Sequence, residues 1–238
     1  FWEDRPKLSE EPAFILEEKY AGESVADKLK RIREVMKEEG ADIHILTTLD
    51  DICWTLNMRG NDIDFFPMVL SYAIVTMDGV ELYIDERKLD DALKVKLAAD
   101  GVKLHPYNDI YEDVKKFAED TVVMVDPGKL NYAIFNNIPE NVKTIEQRNP
   151  AILMKAMKNP VEIKNIRKAQ IKDSVAHVRF MKWLKENVGK MKITEMSASD
   201  KLDEFRAEMG NFIRPSFEPI SSFGCLLYTS DAADDSLR

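Results

Sequence analysis

The sequence of 238 residues predicts an α/β fold with a mixed sheet over roughly residues 20–150. Helical patterns alternate with short strands along this part of the chain, which is typical of α/β domains. Two of the strands meet at Asp78–Gly79, a dipeptide that favours a hairpin turn and therefore an antiparallel pair in the sheet. After Pro150 two long helical patterns follow each other without an intervening strand, so we expect a second domain to begin there.

The first fifteen residues, 1–15, are predicted to be an extended linker from a missing upstream domain. They contain Pro6 and Pro12, several charges and no periodic apolar pattern. The pattern then becomes helical, because apolar residues recur at spacings of three and four between Ser24 and Gly40. Ser24 is expected to cap this helix at its N-terminus, and Gly40 is expected to end it.

The other elements of the first domain follow from short local patterns. Runs rich in β-branched and aromatic residues predict strands at ADIHILTT, VLSYAIVTM, VELYIDE, GVKLHPY, TVVMVDPG and NVKTIE. Helical patterns predict short helices at LDDICWTLN, Leu89–Ala99, Ile110–Ala118 and NYAIFNNI. Asp50 and Asp51 are expected to cap the first of these helices, because carboxylates accept hydrogen bonds from free N–H groups there.

The second domain is expected to contain two long helices and the beginning of a strand. Pro160 opens the first helix, since proline suits the first helical position, and the apolar residues of this helix lie on one broad face. Gly210 ends the second helix, and NFIRPSFEPISSFG is predicted to begin a strand. The last fourteen residues, 225–238, fit neither pattern and resemble a translated sequencing adapter, so we expect them to be a non-native tail. The alternatives are a frameshift or a genuine divergent terminus.

Composition and charge exclude several classes of partner. Hydrophobic residues make up 45% of the chain and charged residues 32%, the balance of a soluble globular protein. The net charge of -9 comes without a basic stripe, so we expect no nucleic-acid partner and no membrane partner. Two cysteines make no disulfide framework and the N-terminus lacks a signal peptide, so a cytoplasmic location is expected.

No catalytic constellation is recognisable from residue spacing. The three histidines, His44, His105 and His177, are in no metal-binding arrangement, so structural or surface roles are expected for them. There is no GxSxG nucleophile elbow and no glycine-rich phosphate loop. Cys53 lies in an apolar helical context, which favours a buried, inert thiol.

The most unusual segment is CWTLNMRGNDIDFFP, which places an aromatic ring, a guanidinium and two carboxylates close together. An arginine beside a glycine can present its fork of N–H groups to a carboxylate. That carboxylate could belong to a substrate, or Arg59 could form an internal ion pair with Asp62 or Asp64 that fixes the loop. The residues alone leave both interpretations open.

Four segments carry a resemblance to a known family. They are LDDICWTLNMRGNDIDFFPMVLSYAIVT, KNPVEIKNIRKAQIKDSVAHVRFMKWLKE, ITEMSASDKLDEFRAEMGNFIRPSFEPISSFG and WEDRPKLSEEPAFILEEKYAGESVADKL. Together they resemble the three-domain Xaa-Pro aminopeptidases, relatives of creatinase, prolidase and methionine aminopeptidase. The resemblance implies a creatinase N-terminal-like middle domain at 16–150 and the start of a truncated pita-bread catalytic domain at 151–224. The sequence is thus expected to be an internal fragment of an aminopeptidase.

The resemblance also implies an activity for the parent protein. The family removes the N-terminal residue from peptides with proline at position two, using two divalent metals, usually manganese, held by two Asp, one His and two Glu. In the family these ligands follow the segment that ends here at Gly224, so the chain is expected to hold no metal and to be inactive. Trp54 and Arg59 could approach the active site of a neighbouring subunit in a homodimer. The alternative is a non-catalytic dimerisation or binding module of the same fold.

Overall fold

The structure is a computed structural model that describes residues 4–224. The described residues fall into two compact units, which are divided between Ile163 and Lys164. The strands are β1 (Phe14–Ile15), β2 (Ile43–Leu46), β3 (Met58–Arg59), β4 (Ser71–Thr76), β5 (Val80–Ile84), β6 (Val102–His105), β7 (Val122–Val125) and β8 (Lys143–Glu146). The helices are α1 (Glu18–Ala21), α2 (Val25–Glu39), α3 (Leu49–Thr55), α4 (Asp91–Ala99), α5 (Ile110–Asp113), α6 (Tyr132–Asn137), α7 (Pro150–Ala156), α8 (Pro160–Asn187) and α9 (Glu195–Glu208).

The first unit is built on a six-stranded mixed sheet in the order β6-β5-β4-β2-β7-β8. The neighbours β2 and β4, and β4 and β5, are antiparallel, whereas β5–β6, β2–β7 and β7–β8 are parallel. Because successive side chains point to opposite faces, the sheet separates two apolar clusters. One contains residues of α2, α3 and α4, and the other contains residues of α5 and α6. The predicted mixed α/β fold is confirmed.

The helix predicted between Ser24 and Gly40 is confirmed as α2. The Ser24 side chain accepts a hydrogen bond from the Asp27 N–H, and Gly40 ends the helix in the left-handed conformation at φ 70°. The hairpin predicted at Asp78–Gly79 is confirmed as the β4–β5 turn, in which the Gly79 N–H donates to Thr76 Oγ1 at 3.0 Å. Both predictions were accurate because turn and cap chemistry is local in sequence.

Two local predictions are wrong. Asp50 and Asp51 lie in the first turn of α3, but Thr48 is its N-cap residue and neither carboxylate caps the helix. Residues 211–224, predicted to begin a strand, contain none in the structure. A strand needs a neighbouring strand to satisfy its backbone groups, and the described residues offer none to this segment. The predicted domain bounds stay predictions, and the tail 225–238 lies outside the described residues.

The first turn of α8 is fixed within the first unit by Asn159. Its Oδ1 accepts hydrogen bonds from the N–H groups of Val161 and Glu162, and its Nδ2 donates to the Ala21 carbonyl at 2.7 Å. This approach leaves no room for a side chain at Gly22, which has φ +71°, since a Cβ there would lie 2.7 Å from the Val161 Cβ. Glycine is therefore required at position 22 for two reasons, conformation and space.

We expect Gly22→Ala to destabilise the chain more than Gly40→Ala does. Both glycines have left-handed φ values, +71° and +70°, but a Cβ at Gly40 would meet nothing within 4 Å. Gly40→Ala therefore reports the conformational strain alone, about 1 kcal/mol, and Gly22→Ala adds about 1–2 kcal/mol of steric overlap. Urea denaturation of both variants measures the difference. Equal losses in free energy of unfolding would contradict the close approach.

The second unit contains most of α8 and all of α9. Arg206 Nε donates to Asp173 at 2.8 Å, and the Arg179 guanidinium lies 4.7 Å from the centre of the Phe205 ring. The apolar face predicted for α8 is largely exposed, with exposures of 41–69% at Ile166, Ile171, Val175, Val178 and Met181. This face of α8 therefore presents apolar surface to solvent.

Candidate functional site at the end of helix α3

The segment CWTLNMRGNDIDFFP, residues 53–67, contains the C-terminal end of α3. At this end, two cationic side chains donate hydrogen bonds to backbone carbonyls. Arg59 Nη1 donates to the carbonyls of Cys53 at 2.7 Å and Met58 at 2.8 Å. Lys28, from α2, donates through Nζ to the Trp54 carbonyl at 2.8 Å. The last carbonyls of a helix lack intrahelical partners and carry partial negative charge. Arg59 and Lys28 therefore act as a double cap on α3.

Trp54 is buried rather than presented to solvent. Its exposed fraction is 6%, and the Lys28 ammonium lies 4.6 Å from the centre of its ring, a cation–π contact. Asn57 follows with φ 49°, a left-handed conformation that asparagine tolerates. In this conformation its Oδ1 accepts from Lys28 Nζ at 2.5 Å and its Nδ2 donates to the Glu23 carbonyl at 2.9 Å. The end of α3 is thus a rigid polar cluster.

Burial changes the protonation chemistry of this cluster. Burial, together with a smaller effect of the nearby Arg59 charge, lowers the pKa of Lys28 to about 8. Burial also lowers the pKa of Arg59. The pKa of the Cys53 thiol is raised to about 11, again mainly by burial. The prediction that Cys53 is buried is confirmed, and the raised pKa keeps its thiol protonated at neutral pH, as expected of an unreactive thiol.

Of the two interpretations left open for Arg59, the internal ion pair with Asp62 or Asp64 is not found among the described residues. Asp62 instead pairs with Lys88 at 2.5 Å, and the exposed fractions of the two side chains are 0% and 2%. The Leu70 N–H also donates to Asp62 Oδ2 at 2.6 Å. Lys88 was missed because it lies on a different element and nothing in its own sequence context indicates burial. The ion pair fixes the loop that follows Arg59.

Two further backbone features shape that loop. A Cβ on Gly60 would lie 2.5 Å from Val69 Cγ2, so the chain there passes too close to a buried residue for any side chain. Phe65 has φ 64° in a tight turn closed by the Phe66 N–H and the Ile63 carbonyl at 3.3 Å. A left-handed conformation is rare for an aromatic residue. No sequence signal indicated it.

A second buried polar network joins His44 and Asp51, which were predicted to have two unrelated roles, through Asn149. His44 has its Nδ1 3.1 Å from the Met124 carbonyl and its Nε2 3.1 Å from Asn149 Oδ1. Asn149 Nδ2 donates to Asp51 at 2.8 Å, and Lys155 binds the other oxygen of Asp51 at 2.7 Å. Burial lowers the pKa of His44. The prediction of a structural role for His44 is confirmed, and Asp51 links α3 to α7.

The described residues do not fit a dinuclear metal centre. Over residues 4–224, no three His, Cys, Asp or Glu side chains come together in a group that could hold a metal ion. His105 binds Glu81 at 2.5 Å, and His177 Nδ1 lies 3.0 Å from the Asp173 carbonyl. Within the same range, no helix is long and apolar enough to cross a bilayer.

Curated relatives cover nearly all of this chain. The Xaa-Pro aminopeptidase 1 of Dictyostelium discoideum is 36% identical over 225 residues, which are 92% of this chain and 35% of that protein. The probable Xaa-Pro aminopeptidase P of Sordaria macrospora is 36% identical over 233 residues, 93% of this chain and 38% of that protein. The chain therefore spans little more than a third of the length of the curated relatives it matches.

A solved structure and a family model match the same fold. The X-prolyl aminopeptidase of Caenorhabditis elegans, described as a cytosolic enzyme with a di-nuclear active site, has a TM-score of 0.87 and 31% identity. The match covers 93% of this chain and 37% of that one. A family model described as the creatinase/prolidase N-terminal domain matches residues 4–162. The chain belongs to the creatinase/prolidase N-terminal domain family.

Proposed function

We propose that this chain is part of an Xaa-Pro aminopeptidase and supplies its non-catalytic creatinase-like domain with the first helices of the catalytic domain. The observation that carries the proposal is the similarity of both units to one enzyme, the C. elegans X-prolyl aminopeptidase, at a TM-score of 0.87. The substrate class is a peptide with proline at position two, and the enzyme is a cytosolic homodimer. Trp54 and Arg59 belong to the segment that approaches the neighbouring subunit's active site.

The catalytic metals belong to the part of the enzyme outside this sequence. Two divalent ions, manganese in this proposal, would generate a hydroxide and polarise the scissile carbonyl. The residues described here do not provide their ligands, so the chain is proposed to be inactive by itself. Its contribution is to fix the α3 end and the following loop, through Arg59, Lys28 and the Asp62–Lys88 pair.

We expect the complete reading frame, recovered by extending the source DNA, to encode an enzyme that cleaves Xaa-Pro peptides. The chain 1–238 alone should remain on the order of 10⁶-fold slower or worse, because it lacks the metal site. Hydrolysis of Arg-Pro-Pro and of the matched Arg-Ala-Ala, with and without a chelator, measures both proteins. Cleavage by the 238-residue chain would contradict its proposed inactivity, whereas a complete frame without two Asp, one His and two Glu would favour a non-catalytic module instead.

A further inference from the structure

One edge of the Arg59 guanidinium is bonded to no group within residues 4–224. Nη1 donates to the carbonyls of Cys53 and Met58, but Nε and Nη2 have no acceptor among residues 4–224. In that range, the side-chain atoms that are fully enclosed and lack a hydrogen-bond partner are Thr55 Oγ1 and Asp62 Oδ1. Neither of them belongs to Arg59. Nε and Nη2 of Arg59 are therefore accessible from solvent, although most of the side chain is buried.

The carboxylates that act on this cluster through space are bound elsewhere. Both oxygens of Glu23 lie 3.0 Å from Arg31 Nη1, in a bidentate ion pair. Glu162 accepts a hydrogen bond from the Asn159 N–H at 2.9 Å, as part of the cap of α8. In the described part of the chain, neither Arg59 nor Lys28 contacts a carboxylate.

In the part of the chain that the structure describes, these two neighbouring cations are thus largely buried without a carboxylate in direct contact. Lys28 is 2% exposed, and within residues 4–224 its Nζ donates to the Trp54 carbonyl and the Asn57 amide oxygen. Buried charges in proteins are normally paired, because desolvation without a partner is costly. An anion bound at the open edge of Arg59 would offset the repulsion between the two cations.

We propose that the Nε–Nη2 edge of Arg59 is a binding site for a carboxylate. The two N–H groups lie in one plane and match the two oxygens of a carboxylate, and the carbonyls on Nη1 fix the orientation of that plane. The positive charge of Lys28 adds to the attraction. The inference concerns the same Arg59 as the proposed function, but it requires no catalytic domain and can be tested on the chain itself.

The test is an NMR titration of the full 238-residue chain with sodium acetate, using sodium chloride at equal ionic strength as reference. We expect the Arg59 Nε–Hε resonance to shift saturably, with half-saturation on the order of 10–100 mM. Arg59→Lys has no such resonance, so its binding is compared with that of the wild-type chain through the backbone amide resonances of Met58 and Gly60. The variant should bind at least tenfold more weakly, because an ammonium lacks the fork. Arg87→Gln is the matched control, since Arg87 is exposed and already pairs with Asp85 and Glu10.

The outcomes separate the inference from the proposed function. If the wild-type chain shows no saturable shift, the inference is overturned. This result does not depend on whether any variant folds. An equal saturable shift of the Met58 and Gly60 amide resonances in Arg59→Lys also overturns it. A short peptide with a free C-terminus should bind like acetate, and an amidated peptide that binds equally well would show that the carboxylate is not recognised. Each result holds whether or not the complete enzyme cleaves Xaa-Pro peptides.

Discussion

Replacing Lys88 by methionine should lower the free energy of unfolding by about 3–5 kcal/mol. The substitution keeps the length and apolar stem of the side chain but leaves Asp62 buried without its cation. The Asp62 side chain is 0% exposed, and one of its oxygens already lacks a hydrogen-bond partner. A buried carboxylate that loses its ion pair is left largely desolvated, which accounts for the size of the loss.

Two controls show whether the loss comes from the orphaned carboxylate. Lys103→Met removes an exposed ion pair, the Lys103–Glu81 contact at 3.2 Å, and should change stability by only about 0.5 kcal/mol. Asp62→Leu combined with Lys88→Met removes both charges and should recover much of the lost stability. Urea denaturation gives all three values. If the double variant is as unstable as Lys88→Met, volume and packing rather than charge explain the effect.

The sequence allowed the elements of the first unit to be predicted well because their signals are local. Ser24, Gly40 and the Asp78–Gly79 turn each act within four residues, so their chemistry is visible in a short window. The predicted helix Ile110–Ala118 is shorter in the structure, where α5 ends at Asp113 and a 3₁₀ turn continues to Lys116. Element boundaries depend on packing, which a short window does not contain.

The candidate site was harder to predict because its contacts join distant elements. Arg59 was recognised as unusual, but its partners are backbone carbonyls, which residue types do not reveal. Two lysines supply the decisive charges. Lys28 comes 26 residues before its partner Trp54, and Lys88 comes 26 residues after its partner Asp62. Lysine is rarely buried, so composition and periodicity place both residues on the surface.

The chain should become more stable as the pH rises from 8 to 10.5, by about 3 kcal/mol attributable to Lys28. In the folded state burial lowers the pKa of Lys28 to about 8, whereas the ordinary value is 10.5. Below pH 8 lysine is charged in both states, so the folded state bears the full cost of burying the ammonium. Above pH 10.5 it is neutral in both states, and that cost has disappeared.

Comparing Lys28→Met with Lys30→Met isolates this contribution. Lys30 lies on the same helix and is exposed, so its replacement should leave the pH dependence of the wild-type chain intact. Lys28→Met should remove the rise of about 3 kcal/mol, because no buried ammonium remains to lose its proton. Urea denaturation at several pH values gives the free energy of unfolding of each variant as a function of pH. Subtracting one curve from the other removes the contributions of tyrosines and other lysines, which the two variants share. A rise that persists in Lys28→Met would mean that Lys28 keeps its ordinary pKa, and the double cap on α3 would then carry two full charges at neutral pH and above.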